Sequence, residues 1–329
     1  MARQLLPLDP ATYVRHPVLH GEDRAWPETN CYVDLWIEVL HALRLDPIAC
    51  MGFSVAMDFE GDQWTFFKPS LSEIYELYGV DVQELTIWRP VLDHVVEQVE
   101  RGRLVMVEVD SYFLPDTQGV SYQIEHTKTT VAVQAIDPAT RTLGYFHNAG
   151  YFVLAGDDFD GLFRLGTFAA DQSTLAPYTE FAKLDHLTRL PEHVLRERAS
   201  HLLRHHLGRV PHDNPVARYR ERFARDLEWL ATQEIAIFHQ YAFAALRQCG
   251  ACAEIAATFL RWLSHDGADA PLVAAADGFD AIANGAKALQ FKVARAVATR
   301  KPADVTAVFD GMQAGWDAAM AQLEVRRAS

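Results

Sequence analysis

The feature that most limits the fold is a change of periodicity near Pro177. Before it, short helical and strand patterns alternate, and after it every apolar pattern has the helical period. With 329 residues the chain exceeds the usual size of a single domain, so the change is read as a domain boundary. We expect an α+β domain over residues 1–176 and an all-α domain over residues 177–329.

In the first part, Asn30 or Thr29 can cap a helix that opens at Cys31, whose apolar positions Val33, Trp36, Ile37, Leu40 and Leu43 follow the 3.6-residue period. Ser70 and Glu73 have capping-box spacing before a short helix stopped by Gly79, and Pro90 to Arg101 repeats the pattern, with Pro first and Gly102 after. Leu104 to Val109 is a buried-strand run, Thr129 to Ala135 alternates, and Thr142 to His147 completes a hairpin around Asp137-Pro138-Ala139-Thr140. The order implied is a helix, further helices, then a largely antiparallel sheet. The second part offers five helical stretches: His186 to Leu207, Pro215 to Arg247, Ala251 to Ser264, Ala270 to Ala298 and Ala303 to Leu323.

A formal charge of −14 makes nucleic acid a poor partner. No window has the roughly 18 apolar residues of a membrane span, and the N-terminal stretch lacks a secretion signal's apolar core. A cytoplasmic protein without a membrane partner is expected. Its four cysteines, Cys31, Cys50, Cys249 and Cys252, are too few for a disulfide framework, so each needs an explanation from packing or reactivity.

A thiol attacks as its thiolate, and the unpaired amides of a first helical turn stabilise that anion. Cys31 stands at such a position. A catalytic cysteine also uses an imidazole for proton transfer, with a third group to fix the imidazole's tautomer. His126 and Asn148 fit, because His126 precedes one hairpin strand and Asn148 follows its partner. His147 competes as base, Asp137 competes as third member, and the opposing reading of Cys31 is buried filler, the role given to Cys50. The backbone amide of Cys31 with a donor from Asn30 would form an oxyanion hole.

The N-terminal part resembles the acyltransferases of butirosin biosynthesis and, more distantly, bacteriocin-processing cysteine peptidases, both papain-like. The resemblance rests on Cys31 at a helix head, Met51-Gly52-Phe53-Ser54, and the run Val107 to Pro115 with its Asp-x-Tyr-x-Leu-Pro spacing, followed by His126 and a hydrophobic strand. Those acyltransferases usually have an acidic residue where Asn148 stands. Nearly the whole chain is also similar to a bacterial family labelled domain of unknown function 1839, whose members tend to be encoded beside amino acid:carrier-protein ligases.

The resemblance implies transfer of an acyl or aminoacyl group from a carrier-protein thioester to a small-molecule amine through an acyl-Cys31 intermediate. The phosphopantetheine would be the partner's, and the chain itself would bind no cofactor. Trp26, Phe53, Asp110 and Tyr112 would wall the cleft. The alternatives are a cysteine hydrolase, either peptidase or amidase, and an inactive carrier-binding module.

Between His186 and Arg225 stand nine arginines against four acids, and an acidic carrier protein could dock there through Arg218 and Arg222. A solvated helical surface is the plainer reading. Cys249-Gly-Ala-Cys252 has redox spacing, but its helical surroundings favour packing. Glu197, His201 and His205 share a helical face without a matching further ligand, so no metal is expected.

Overall fold

The computed structural model describes residues 3–169, 175–265 and 267–327. The chain forms two compact units: Met1–His20, Asn30–Pro47 and Leu71–Arg189 make the first, and Gly21–Thr29, Ile48–Ser70 and Leu190–Ser329 the second.

The first unit is built on an antiparallel seven-stranded sheet. Its strands are β1 (Arg3–Gln4), β2 (Asp81–Glu84), β3 (Leu104–Asp110), β4 (Lys128–Asp137), β5 (Thr142–His147), β6 (Gly150–Ala155) and β7 (Thr179–Lys183). They lie in the order β2-β7-β3-β4-β5-β6, with β1 paired to the far end of β4. The strand β7 was expected in the helical part. It pairs with both β2 and β3, which carries the first unit past residue 176 as far as Arg189.

Alternation along the strands separates two faces. Val105, Val107, Val131, Val133 and Tyr145 pack against Val95 and Val99 of α3 (Val91–Glu100) and Phe159 of α4 (Asp157–Leu162). Facing the other way, Glu180, Met106, Ala132, Phe146 and Tyr151 form one row across five strands. On this face lies α1 (Cys31–Ala42), where Tyr32 donates its hydroxyl to Glu180 at 2.7 Å. The expected N-cap is made: Asn30 Oδ1 accepts from the Val33 amide at 3.0 Å. The α2 helix (Leu71–Tyr78) ends at Gly79, where φ is +70° and a Cβ would stand 1.9 Å from the His186 carbonyl oxygen.

The second unit holds α5 (Glu192–Leu207), α6 (Pro215–Leu230), α7 (Ile235–Tyr241), α8 (Gln248–Leu263), α9 (Ala270–Thr299) and α10 (Thr306–Arg327). The expected helix Pro215 to Arg247 is interrupted after Leu230. Conversely, the expected gap before Ala251 is absent, because a π-helical turn over Ala242–Arg247 runs directly into α8. Gly250, inside α8, is a packing residue: a Cβ there would lie 2.3 Å from the Trp26 indole. No helix among the described residues is long and apolar enough to cross a membrane.

Gly278 of α9 and Gly315 of α10 bring two backbones together, since a Cβ on Gly278 would stand 2.4 Å from the Gly315 carbonyl oxygen. Gly278→Val should therefore cost about 1–3 kcal/mol through overpacking, read as a lower urea midpoint by circular dichroism. An unchanged midpoint would contradict this packing.

Candidate active site

Cys31 opens α1 and is half-buried, whereas Cys50, Cys249 and Cys252 are buried. Its sulfur faces the Thr130 hydroxyl at 3.9 Å. Thr130 marks a file of polar side chains on the α1 side of the sheet. Two residues towards the start of β4, Lys128 pairs with Glu108 of β3 at 2.7 Å, and His126 stands just before the strand begins.

His126 and Asp110 form a dyad, with Nδ1 donating to Asp110 Oδ2 at 2.5 Å. The other Asp110 oxygen accepts from the Tyr112 amide at 3.0 Å, capping the short 3₁₀ turn Ser111–Phe113. That turn lays the Tyr112 ring on the imidazole, with centroids 4.4 Å apart and planes 15° off parallel. The Asp-x-Tyr-x-Leu-Pro spacing thus has a local meaning: Asp110 orients, Tyr112 stacks, Leu114 is buried in the core, and Pro115 starts the next turn. The imidazole is 71 % exposed.

The structure brings together His126, Asp110 and Tyr112, but it does not bond His126 to Cys31. His126 lies just before β4, four residues from Thr130, and Ser111 N–H bonds the Thr127 carbonyl at 2.9 Å beside it. Asn148, the expected third member, is replaced by Asp110. It occupies the β5–β6 turn with φ +44°, a conformation that Asn tolerates better than most residues. Asn30 Oδ1 is engaged as the helix cap, accepting the Val33 amide at 3.0 Å.

His147, the competing base, points to the opposite face. It bonds Asp116 through Nδ1 at 2.5 Å and Thr129 Oγ1 through Nε2 at 2.8 Å, and only 2 % of its side chain is exposed. Thr129 and Thr130 are neighbours in one strand, so the sheet separates this group from Cys31.

A second buried network underlies α1. His20 Nδ1 bonds Glu38 and Nε2 bonds Asp34 at 3.1 Å, while Glu38 also accepts from the Tyr13 hydroxyl and, at 3.0 Å, from the His16 amide. Burial alone would lower the pKa of His20, but the hydrogen bonds and charges of Asp34 and Glu38 raise it to about 9. Burial would likewise raise Glu38, yet the His20 bond and charge hold it below its ordinary range. Sequence reasoning missed this network. Its signal was two carboxylates four residues apart on an otherwise apolar helix.

Trp26 and Phe53, the expected cleft walls, belong to the second unit. Trp26 is 2 % exposed and donates Nε1–H to the Ala283 carbonyl at 3.1 Å, while its backbone amide bonds Glu254 at 3.0 Å. It is therefore a packing keystone. Phe53 stacks on Phe67 beside a cavity.

The arginines expected to dock a carrier are engaged within the second unit. Arg218 bonds Asp58, Asp213 and the Phe59 carbonyl, and Arg222 bonds Asp226 at 2.7 Å and the Gly61 carbonyl. Together they clamp the hairpin 58–65. Cys249 and Cys252 lie inside α8, and burial raises both thiols above their ordinary range.

Two outcomes follow. His20 is charged up to about pH 9 when folded but only to about 6.5 when unfolded, so its contribution is complete below pH 6.5 and lost as pH rises through 9. The stability difference between wild type and His20→Gln should shrink by on the order of 3 kcal/mol across that window in denaturant titrations. A pH-independent difference would contradict the ion cluster. Arg218→Glu should lower the melting temperature by several degrees, because it sets a third carboxylate beside Asp58 and Asp213. An unchanged melt would mean that the clamp is unimportant.

No curated protein matches the chain. Two family models do match, the DUF1839 N-terminal domain over residues 15–184 and the DUF1839 C-terminal domain over residues 192–325. Together they span most of the sequence, with their junction close to the division at Arg189, and the chain belongs to the DUF1839 family.

Proposed function

We propose that the first unit is a cytoplasmic acyl or aminoacyl transferase, in which Cys31 carries the group from a carrier-protein phosphopantetheine thioester to an amine. The observation that supports this most is the placement of Cys31: it is the one cysteine not buried, in the first turn of a capped helix, with a hydroxyl beside its sulfur.

The chemistry is compatible with a thiol that has no imidazole partner. In the first step a carbon–sulfur bond to Cys31 forms as the bond to pantetheine breaks, and the thiol proton passes to the departing sulfur. In the second step the amine nitrogen bonds the carbonyl carbon, the bond to Cys31 breaks, and the amine's proton goes to that sulfur. Neither step consumes net acid or base.

The His126–Asp110 dyad favours a second reading. An imidazole with a carboxylate on Nδ1 and an exposed edge is built to accept a proton. If water delivered that proton the protein would be a hydrolase; if an amine did, transfer would proceed without Cys31.

Incubation of the full chain with an aminoacyl-pantetheine thioester, followed by intact-mass measurement, separates these readings. The first predicts an adduct on wild type and on His126→Ala, absent from Cys31→Ala, and discharged as an amide by added amine. Amide or acid formation that survives Cys31→Ala and vanishes in His126→Ala would overturn it in favour of the dyad. No adduct and no turnover would reject the transferase.

A further inference from the structure

The second unit holds a cavity of about 340 Å³, within the range of small-molecule sites, lined by Phe53, Met57, Phe67, His206 and Arg209 among others. Its apolar side is the pair Phe53 and Phe67, stacked with centroids 6.3 Å apart, and Phe66 stands 52 % exposed at the rim. Asp58, Glu60 and Thr65 of the hairpin 58–65 also line it. That hairpin is closed by Glu60 N–H to the Gln63 carbonyl at 2.8 Å and Thr65 N–H to the Asp58 carbonyl at 2.9 Å, and Arg218 bonds Asp58 and the Phe59 carbonyl.

The charges at this cavity are unequally spent. Asp58 shares the Arg218 guanidinium with Asp213, while Glu60 keeps its negative charge and accepts from the Thr65 hydroxyl at 3.1 Å. Arg209, just beyond the end of α5, is different: no carboxylate among the described residues pairs with its guanidinium. Lys68 adds a second positive charge to the lining, and the imidazole of His206, 2 % exposed, adds a buried polar group.

We infer that this cavity binds a small organic carboxylate, with its aromatic or branched apolar body against Phe53 and Phe67 and its anionic end on Arg209. A guanidinium matches a carboxylate through paired N–H donors, and the phenylalanines supply a surface that a hydrated inorganic anion would not use. The cavity belongs to the second unit, and its assignment does not depend on the transferase reading.

Calorimetric titration of the full chain with phenylacetate, phenylacetamide and phenethylamine tests the assignment. Saturable binding of phenylacetate is expected, at least tenfold weaker for the amide and the amine. Arg209→Gln and Phe53→Ala should each weaken phenylacetate at least tenfold, with melting curves reporting whether the fold is kept. Arg209 is exposed, so the Arg209→Gln result stands even if Phe53→Ala unfolds. Absent saturation, an affinity unchanged in Arg209→Gln, or equal binding of the neutral amide would overturn the assignment.

Discussion

A charged imidazole sealed between two carboxylates anchors the helix on which the proposed chemistry depends. His20 joins Asp34 and Glu38, one and two turns beyond Cys31, and all three side chains are almost wholly excluded from solvent. Charges so buried are tolerated only when each lone pair and proton is matched, and here Tyr13 and the His16 amide complete the set on Glu38. The cluster ties the segment before residue 20 to α1. It thereby fixes where the first turn of α1, with Cys31 in it, meets β4.

From that anchor the rest of the first unit follows by alternation. A helix laid across an antiparallel sheet sees every second residue, so Cys31 meets Thr130 while Thr129 turns to the other side with His147 and Asp116. The same rule sets Thr130, Lys128 and the Asp110 opposite Lys128 on one face, and His126 is held at its end by Asp110. That placement explains why two groups that look suited to each other in the sequence are not bonded.

Much of the fold was legible in the sequence. The Asn30 cap, the helices that follow Ser70 and Pro90, the Leu104 strand and the hairpin around Asp137 all carry local signals, and the structure has that cap and each of those elements. The site was legible in part. Asp110, Tyr112 and His126 converge as the motif suggests, because an Asx-type cap and a ring stack act over a few residues and one strand pairing. Asn148 was misread because its special property is a backbone angle rather than a side-chain bond. Arg218 and Arg222 looked like a free basic surface, but their partners Asp58, Phe59 and Gly61 lie about 160 residues upstream, beyond the reach of any local pattern.

The central claim is that Cys31 is the accessible, reactive sulfur of this chain. Timed alkylation of the folded protein with iodoacetamide, followed by peptide mapping, addresses it directly. The account predicts modification of Cys31 alone, slowed when an acyl-pantetheine thioester is present. Labelling spread equally over Cys50, Cys249 and Cys252, or a rate at Cys31 indifferent to the thioester, would contradict it.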